Sequence, residues 1–181
     1  MRVLKLGFGW YIKIAEFAEL DADLKKLVLS LEDRRFYRHS GVDCVSLLRA
    51  VLWRVAGQKR GGASTIHMQM VRTITNDREM TYARKVREIF RSMLMDKRYQ
   101  KEVILNSYLS IAYFGEGNIG AEQAAETLFG GRLSDCSYSQ KALVAAILLY
   151  PIPEFRSLEW WSKVHWRALL AKKVANKIKV N

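Results

Sequence analysis

Proline is almost missing from this chain, with Pro151 and Pro153 the only two, and glycine amounts to eleven residues. That excludes collagen-like and proline-rich architectures and leaves no low-complexity linker to divide the chain. Cysteine is scarce as well. Cys44 and Cys136 form no Cys-x-x-Cys and have no zinc-site spacing, so two structural thiols are expected, and sequence alone leaves a disulfide between them open. Long apolar runs are lacking: the longest, from Ala142 to Tyr150, is far short of the roughly twenty residues a bilayer span needs. The basic, partly apolar start MRVLKLGFGWYIKIAEF has no uninterrupted span and no small-residue cleavage site. Neither a membrane anchor nor a secretory signal is expected, and the chain is expected to lie on a membrane at most. Acidic residues are few, 18 against 30 basic ones, for a net charge of +12. Such an excess points to an anionic partner, whether nucleic acid, anionic lipid or pyrophosphate, but no Lys/Arg run says which.

What is present is apolar spacing of helical period. Half of the 181 residues are apolar, enough for one sizeable core and too few residues for two ordinary domains. Asp21 or Asp23 caps a helix to about Ser30 with Leu24, Leu27, Val28 and Leu31 on one side. A second helix from Cys44 to Ala56 carries the stripe Val45, Leu48, Val51, Leu52 and Val55. Further helices are predicted from Thr65 to Thr73, Thr81 to Met95 and Lys101 to Ala112. FGEGNIG reads as a loop, AEQAAETLFG as a short helix stopped by Gly130-Gly131, and Ser137 to Leu149 as an apolar helix ended by PIPE. The tail from Leu158 to Lys179 reads as a basic amphipathic helix bearing Trp160, Trp161 and Trp166. No alternating strand pattern is evident, so the expectation is a single, mainly α domain over residues 1–181.

Three places carry groups able to do chemistry. Glu32, in EDRRFYRHSGVD, offers a carboxylate able to accept a proton, although an isolated Glu-Asp pair is ordinarily a solvated helix end. Burial beside Phe36 would raise its pKa and the nearby arginines would lower it. Glu88 stands four residues after Arg84, hence on the same helix face, in RKVRE. That pair is either an ordinary surface ion pair or part of a clamp for diphosphate. The loop Arg60-Gly61-Gly62-Ala63-Ser64-Thr65 places glycines, hydroxyls and cations before a helix, a setting that suits phosphate without matching a Walker P-loop.

Order and context decide what each signal alone does not. EDRRFYRHSGVD, GGASTIHMQMVR, RKVRE and YLSIAYFGEGNIGAEQAAETLFG follow one another as four motifs, and from about Leu20 to Pro153 the chain resembles the peptidoglycan glycosyltransferases, glycosyltransferase family 51. The resemblance implies a lysozyme-like, two-lobed helical fold with a central cleft. It implies lipid II as substrate, at the extracytoplasmic face of a bacterial inner membrane. It makes Glu32 the general base and Glu88 the second essential glutamate, linked to a divalent metal such as Mg or Mn, with no organic cofactor. Asp33, Phe36 and His39 match supporting residues of the first motif, and Ser64, Thr65 and Gln69 polar positions of the second. Arg72 stands where the family usually has a phosphate-contacting Lys, and Arg84 and Lys85 belong to the diphosphate side of the third motif.

Departures accompany the match. His67 occupies a usual Thr or Ser, Met68 a usual Gln, Asn106 a usual Glu, Ser110 a usual Asn, and Gln140-Lys141 replaces an expected acidic residue. No transpeptidase domain is expected to follow, which makes the monofunctional enzymes the nearer comparison. The runner-up is a non-catalytic protein of the same fold that docks on anionic membrane or on lipid II. A glycan-cleaving relative is disfavoured by EDRRFYRH and RKVRE, and nucleic-acid binding by the absence of a known module.

Overall fold

The computed structural model describes residues 2–6, 10–14, 20–58, 62–77 and 79–177. Two compact units divide the chain: Met1–Glu16 with Arg35–Ile104, and Phe17–Arg34 with Leu105–Asn181. The division passes through the first motif, between Arg34 and Arg35. Arg60 and Gly61 of the glycine-rich loop, and the end of the tail after residue 177, lie outside the described residues.

The second unit is built on α1 (Ala22–Glu32), α6 (Ala121–Phe129), α7 (Tyr138–Ile147) and α8 (Leu158–Ala175). Helix α1 starts where the Asp21 carboxylate accepts the Leu24 N–H, and α7 starts at a reciprocal cap between Ser137 and Gln140. Leu24, Leu27, Val28 and Leu29 are buried, as are Ala142, Val144, Ala145, Ala146 and Ile147 of α7. Helix α8 meets both with Val164, Ala168, Ala171 and Ala175. Alanines on the facing stripes bring helix axes close, so α1, α7 and α8 form one tight core with little side-chain entropy lost. The tail therefore does not close its core with tryptophans. Trp160 and Trp161 are half-buried, whereas Trp166 is 75% exposed.

The first unit holds α2 (Cys44–Val55), α3 (Ile66–Thr75) and α4 (Tyr82–Arg98), while α5 (Lys101–Ile111) runs from it into the second. Ile66, Met68, Met70 and Val71 of α3 are buried, together with Met95 of α4 and Phe36. The first-motif turn is fixed against α4 at Gly41, where φ is +85° and any Cβ would collide with the Ser92 carbonyl. Helix α2 buries none of its residues. Its predicted stripe is left open, with Leu48 62% exposed and Val45, Val51, Leu52 and Val55 likewise outside any core.

The absence of strands expected from the sequence is corrected at two places. Strands β1 (Arg2–Leu6) and β2 (Trp10–Ile14) pair antiparallel with Leu4 opposite Ile12. The FGEGNIG segment contains β3 (Tyr113–Gly115) and β4 (Asn118–Ile119), joined by Glu116 and Gly117, both with positive φ. That backbone twist is the one a two-residue hairpin turn requires. Each strand is too short for an alternating pattern to stand out. Cys44 is exposed and Cys136 buried, and both are free thiols.

Candidate active site

Glu32 is the last residue of α1, and the Asp33 backbone N–H closes the helix on the Leu29 carbonyl. Its side chain is 13% exposed and its Oε1 accepts from Arg167 Nη2 at 2.6 Å. Arg167 lies 135 residues away on α8. Two residues earlier, the Ser30 hydroxyl shares its hydrogen between Leu27 O and Ala171 O, so α1 and α8 are tied at two places. Both ties belong to the second unit. The Arg167 Nε is buried and finds no hydrogen-bond partner among the described residues. A guanidinium in this position holds a carboxylate in one orientation, which a base must have before a hydroxyl arrives.

Glu88 is organised differently. Thr81 caps α4 by accepting the Arg84 N–H, and the helix then sets Arg84 and Lys85 one turn before Glu88. Lys85 Nζ donates to Glu88 Oε1 at 3.0 Å and to Ser64 Oγ at 3.2 Å. Arg72, from α3, reaches Glu88 Oε1 with Nη2 at 3.2 Å and Oε2 with Nε at 3.4 Å, and Arg84 Nη1 donates to Oε2. Glu88 itself is only 3% exposed. Burial opposes its ionisation, yet the hydrogen bonds and charges of Arg72 and Lys85 outweigh this and hold its pKa below the usual glutamate value. Three cations around one carboxylate leave two positive charges uncompensated within the cluster. A buried anion that gathers cations in this way builds an anion-binding surface.

A divalent metal ion, which the resemblance attaches to Glu88, does not fit this carboxylate. Both oxygens already accept N–H groups from cations, and a hard ion needs several free oxygen ligands.

The remaining motif residues are support. Asp33, Phe36, His39 and Thr65 are all buried. The Thr65 hydroxyl donates to Gly41 O at 2.7 Å and accepts the Met68 N–H, so it ties the start of α3 to the first-motif turn. Phe36 packs its ring 5.1 Å from that of His67 and lies under Lys101 Nζ. Ser64, Gln69, Arg72, Arg84 and Lys85 keep partial exposure and form the accessible set.

The departures from the family pattern have found partners. His67 Nε2 lies 3.0 Å from Asp96 Oδ1, and Lys101 Nζ joins the same Asp96 oxygen to the His39 carbonyl. Lys141 Nζ donates to the Asp21 carboxylate at 2.8 Å, so a cation at this position is neutralised by the cap of α1. Asn106 Oδ1 lies 3.4 Å from the Leu20 N–H, and the Ser110 hydroxyl donates to the Asn106 carbonyl.

These motifs, in this arrangement, match a known family. The family model described as transglycosylase matches residues 9–172. The chain belongs to the transglycosylase family. Among its relatives is a protein of Cupriavidus necator whose name assigns it to the transglycosylases, 35% identical over 129 residues, covering 71% of this chain and 56% of that one. Penicillin-binding protein 2a of Streptococcus pneumoniae is 35% identical over 143 residues, 79% of this chain and 19% of its own length. Penicillin-binding protein 1B of Haemophilus influenzae is 38% identical over 125 residues, 66% of this chain and 16% of its own. The chain thus spans about half the length of the first relative and under a fifth of the other two. Among the described residues no helix is long and apolar enough to cross a membrane.

Sequence reasoning did not single out Arg167, the partner of Glu32. A signal was there. Val164, Ala168 and Ala171 mark the buried stripe of α8, and Arg167 sits three after the first and four before the last.

Proposed function

We propose that the chain is a peptidoglycan glycosyltransferase that extends glycan strands from lipid II. The observation that carries this reading is the gathering of Arg72, Arg84 and Lys85 around buried Glu88, an anion-receiving surface on a family member. In the proposed reaction Glu32 takes the proton of the 4-hydroxyl on the acceptor's N-acetylglucosamine. That oxygen bonds to C1 of the donor's N-acetylmuramic acid, the bond from C1 to the diphosphate oxygen breaks, and the anomeric centre inverts. The leaving diphosphate carries away the bonding pair, and Arg72, Arg84 and Lys85 stabilise its charge. No step requires a metal ion. Arg167 keeps Glu32 aimed, and Glu88 keeps the cations together when no substrate is present.

The open stripe of α2 supports approach to a membrane surface, where such a lipid-linked substrate resides. Val45, Leu48, Val51, Leu52 and Val55 are exposed on a helix that also carries Arg49 and Arg54. Apolar side chains flanked by cations suit the boundary between acyl chains and anionic headgroups. The deciding experiment is incubation of purified protein with lipid II in detergent, followed by separation of polymer from lipid. Polymer made by the wild type and not by Glu32→Gln is the expected result. No polymer from a folded, lipid-binding wild type would refute the reading in favour of a docking role.

A further inference from the structure

Helix α8 carries more than the tie to Glu32. A cavity of about 300 Å³ opens on it, lined by Tyr150, Ser162, Lys163, Trp166, Arg167 and Leu170. Five of these six lie on one face of the helix, and all six belong to the second unit. The volume is at the lower end of the range of about 300–1,000 Å³ typical of ligand sites. Its lining pairs an aromatic and aliphatic wall with a few polar groups, the composition such sites share.

Charge narrows the ligand. Both cations of the cavity already hold a carboxylate: Lys163 Nζ donates to Glu159 Oε1 at 2.6 Å, and Arg167 to Glu32 at the same distance. A phosphate entering here would compete with two carboxylates, unlike one arriving at the Glu88 cluster, where positive charge is in surplus. A neutral ligand with many hydroxyls and one apolar face meets no such competition. A pyranose ring has that form. Its C–H face stacks on an indole, and its hydroxyls exchange hydrogen bonds with groups such as the Ser162 hydroxyl and the Lys163 ammonium. Trp166 is 75% exposed, so the aromatic platform is open.

Position ties the cavity to the reaction. Arg167 is both a wall of the cavity and the partner of Glu32, so a ring seated here lies one side chain from the proposed base. We infer that the α8 cavity is a saccharide subsite, with Trp166 as stacking platform, that seats a sugar of the glycan adjacent to the one reacting at Glu32. This rests on the reading of Glu32 as the base, but binding of sugar does not. A bilayer is the competing occupant for an exposed tryptophan. It is disfavoured because the cavity is concave and its cations are already paired, where an interfacial anchor presents a convex face and free cations.

The test uses a soluble probe, the β-1,4-linked tetramer of N-acetylglucosamine, titrated into the full chain while the Trp166 indole N–H is followed by NMR. A saturable shift with an affinity on the order of millimolar is expected. Trp166→Ala should weaken binding by about tenfold, while Trp166→Phe, which keeps a flat ring, should retain most of it. With lipid II, Trp166→Ala should raise KM and shorten the strands more than it lowers kcat. Circular dichroism checks folding, which an exposed side chain should leave unchanged. A flat titration, or equal binding by Trp166→Ala, overturns the subsite. So does a Trp166→Ala variant that loses flotation on phosphatidylglycerol vesicles while the tetramer leaves its wild-type parent unperturbed. Tetramer binding without polymer from lipid II would keep the subsite and remove the catalytic reading. Polymer without tetramer binding would do the reverse.

Discussion

The two candidate glutamates, Glu32 and Glu88, are held in opposite ways. Glu32 faces one arginine supplied from 135 residues downstream, whereas Glu88 faces three cations, two from its own helix and one 16 residues upstream. A carboxylate met by an arginine at one oxygen gains an orientation. A carboxylate surrounded by three is spent on structure, and what it leaves behind is a positive surface. In the proposed reaction this difference suits Glu32 to proton transfer and Glu88 to charge management.

The sharpest way to break that comparison is at Glu32. Glu32→Gln keeps size and hydrogen-bonding capacity but cannot take a proton, so polymerisation should fall by about 10²–10⁴-fold with little change in melting temperature. Wild-type turnover in that variant would take Glu32 out of the mechanism. Glu88→Gln should lower turnover as well as stability, the latter by about 1–3 kcal/mol, because the amide no longer satisfies three cations. Denaturant unfolding at neutral pH reads this directly, and an unchanged midpoint would contradict the cluster's role as a support.

Acid provides an independent check on the same cluster. The folded-state pKa of Glu88 lies below the ordinary 4.5, so its contribution is complete above that value and is lost as pH falls through the folded one. Wild type should therefore lose more stability than Glu88→Gln between pH 7 and about pH 3. Parallel acid profiles would show that the carboxylate is not held as described. Smaller still is the expected effect of Leu48→Glu with Leu52→Glu on folding. Both positions are exposed, so stability should shift within about 0.5 kcal/mol while flotation on anionic liposomes disappears. Equal flotation of this variant and the wild type would leave α2 without an interfacial role.

The same contrast explains what could be read from the sequence. Caps at Asp21, Thr65, Thr81 and Ser137 are local chemistry, and the starts of the helices they begin were legible within a residue or two. The Arg84–Glu88 pairing was legible because helical period alone makes residues four apart neighbours. The Arg167–Glu32 and Lys141–Asp21 pairs span 135 and 120 residues, and no local rule reaches so far. The β3–β4 hairpin escaped because its strands have three and two residues, too few for alternation to register. Thr65 and Phe36 were legible as motif residues, but their burial was not, since burial depends on what packs over them and not on their own neighbours in sequence.

The distance between Glu32 and Arg167 also has a consequence in time. During synthesis α1 emerges early, with Leu24, Leu27 and Val28 destined for partners on α7 and α8 that do not yet exist. At about 5–20 residues per second, on the order of ten seconds separate Glu32 from the arginine that meets its carboxylate. Through that interval the nascent chain holds an apolar helix without its core and a glutamate without its guide. The oriented carboxylate arrives only when α8 has left the ribosome, so the tie between Glu32 and Arg167 cannot form until synthesis has passed that helix.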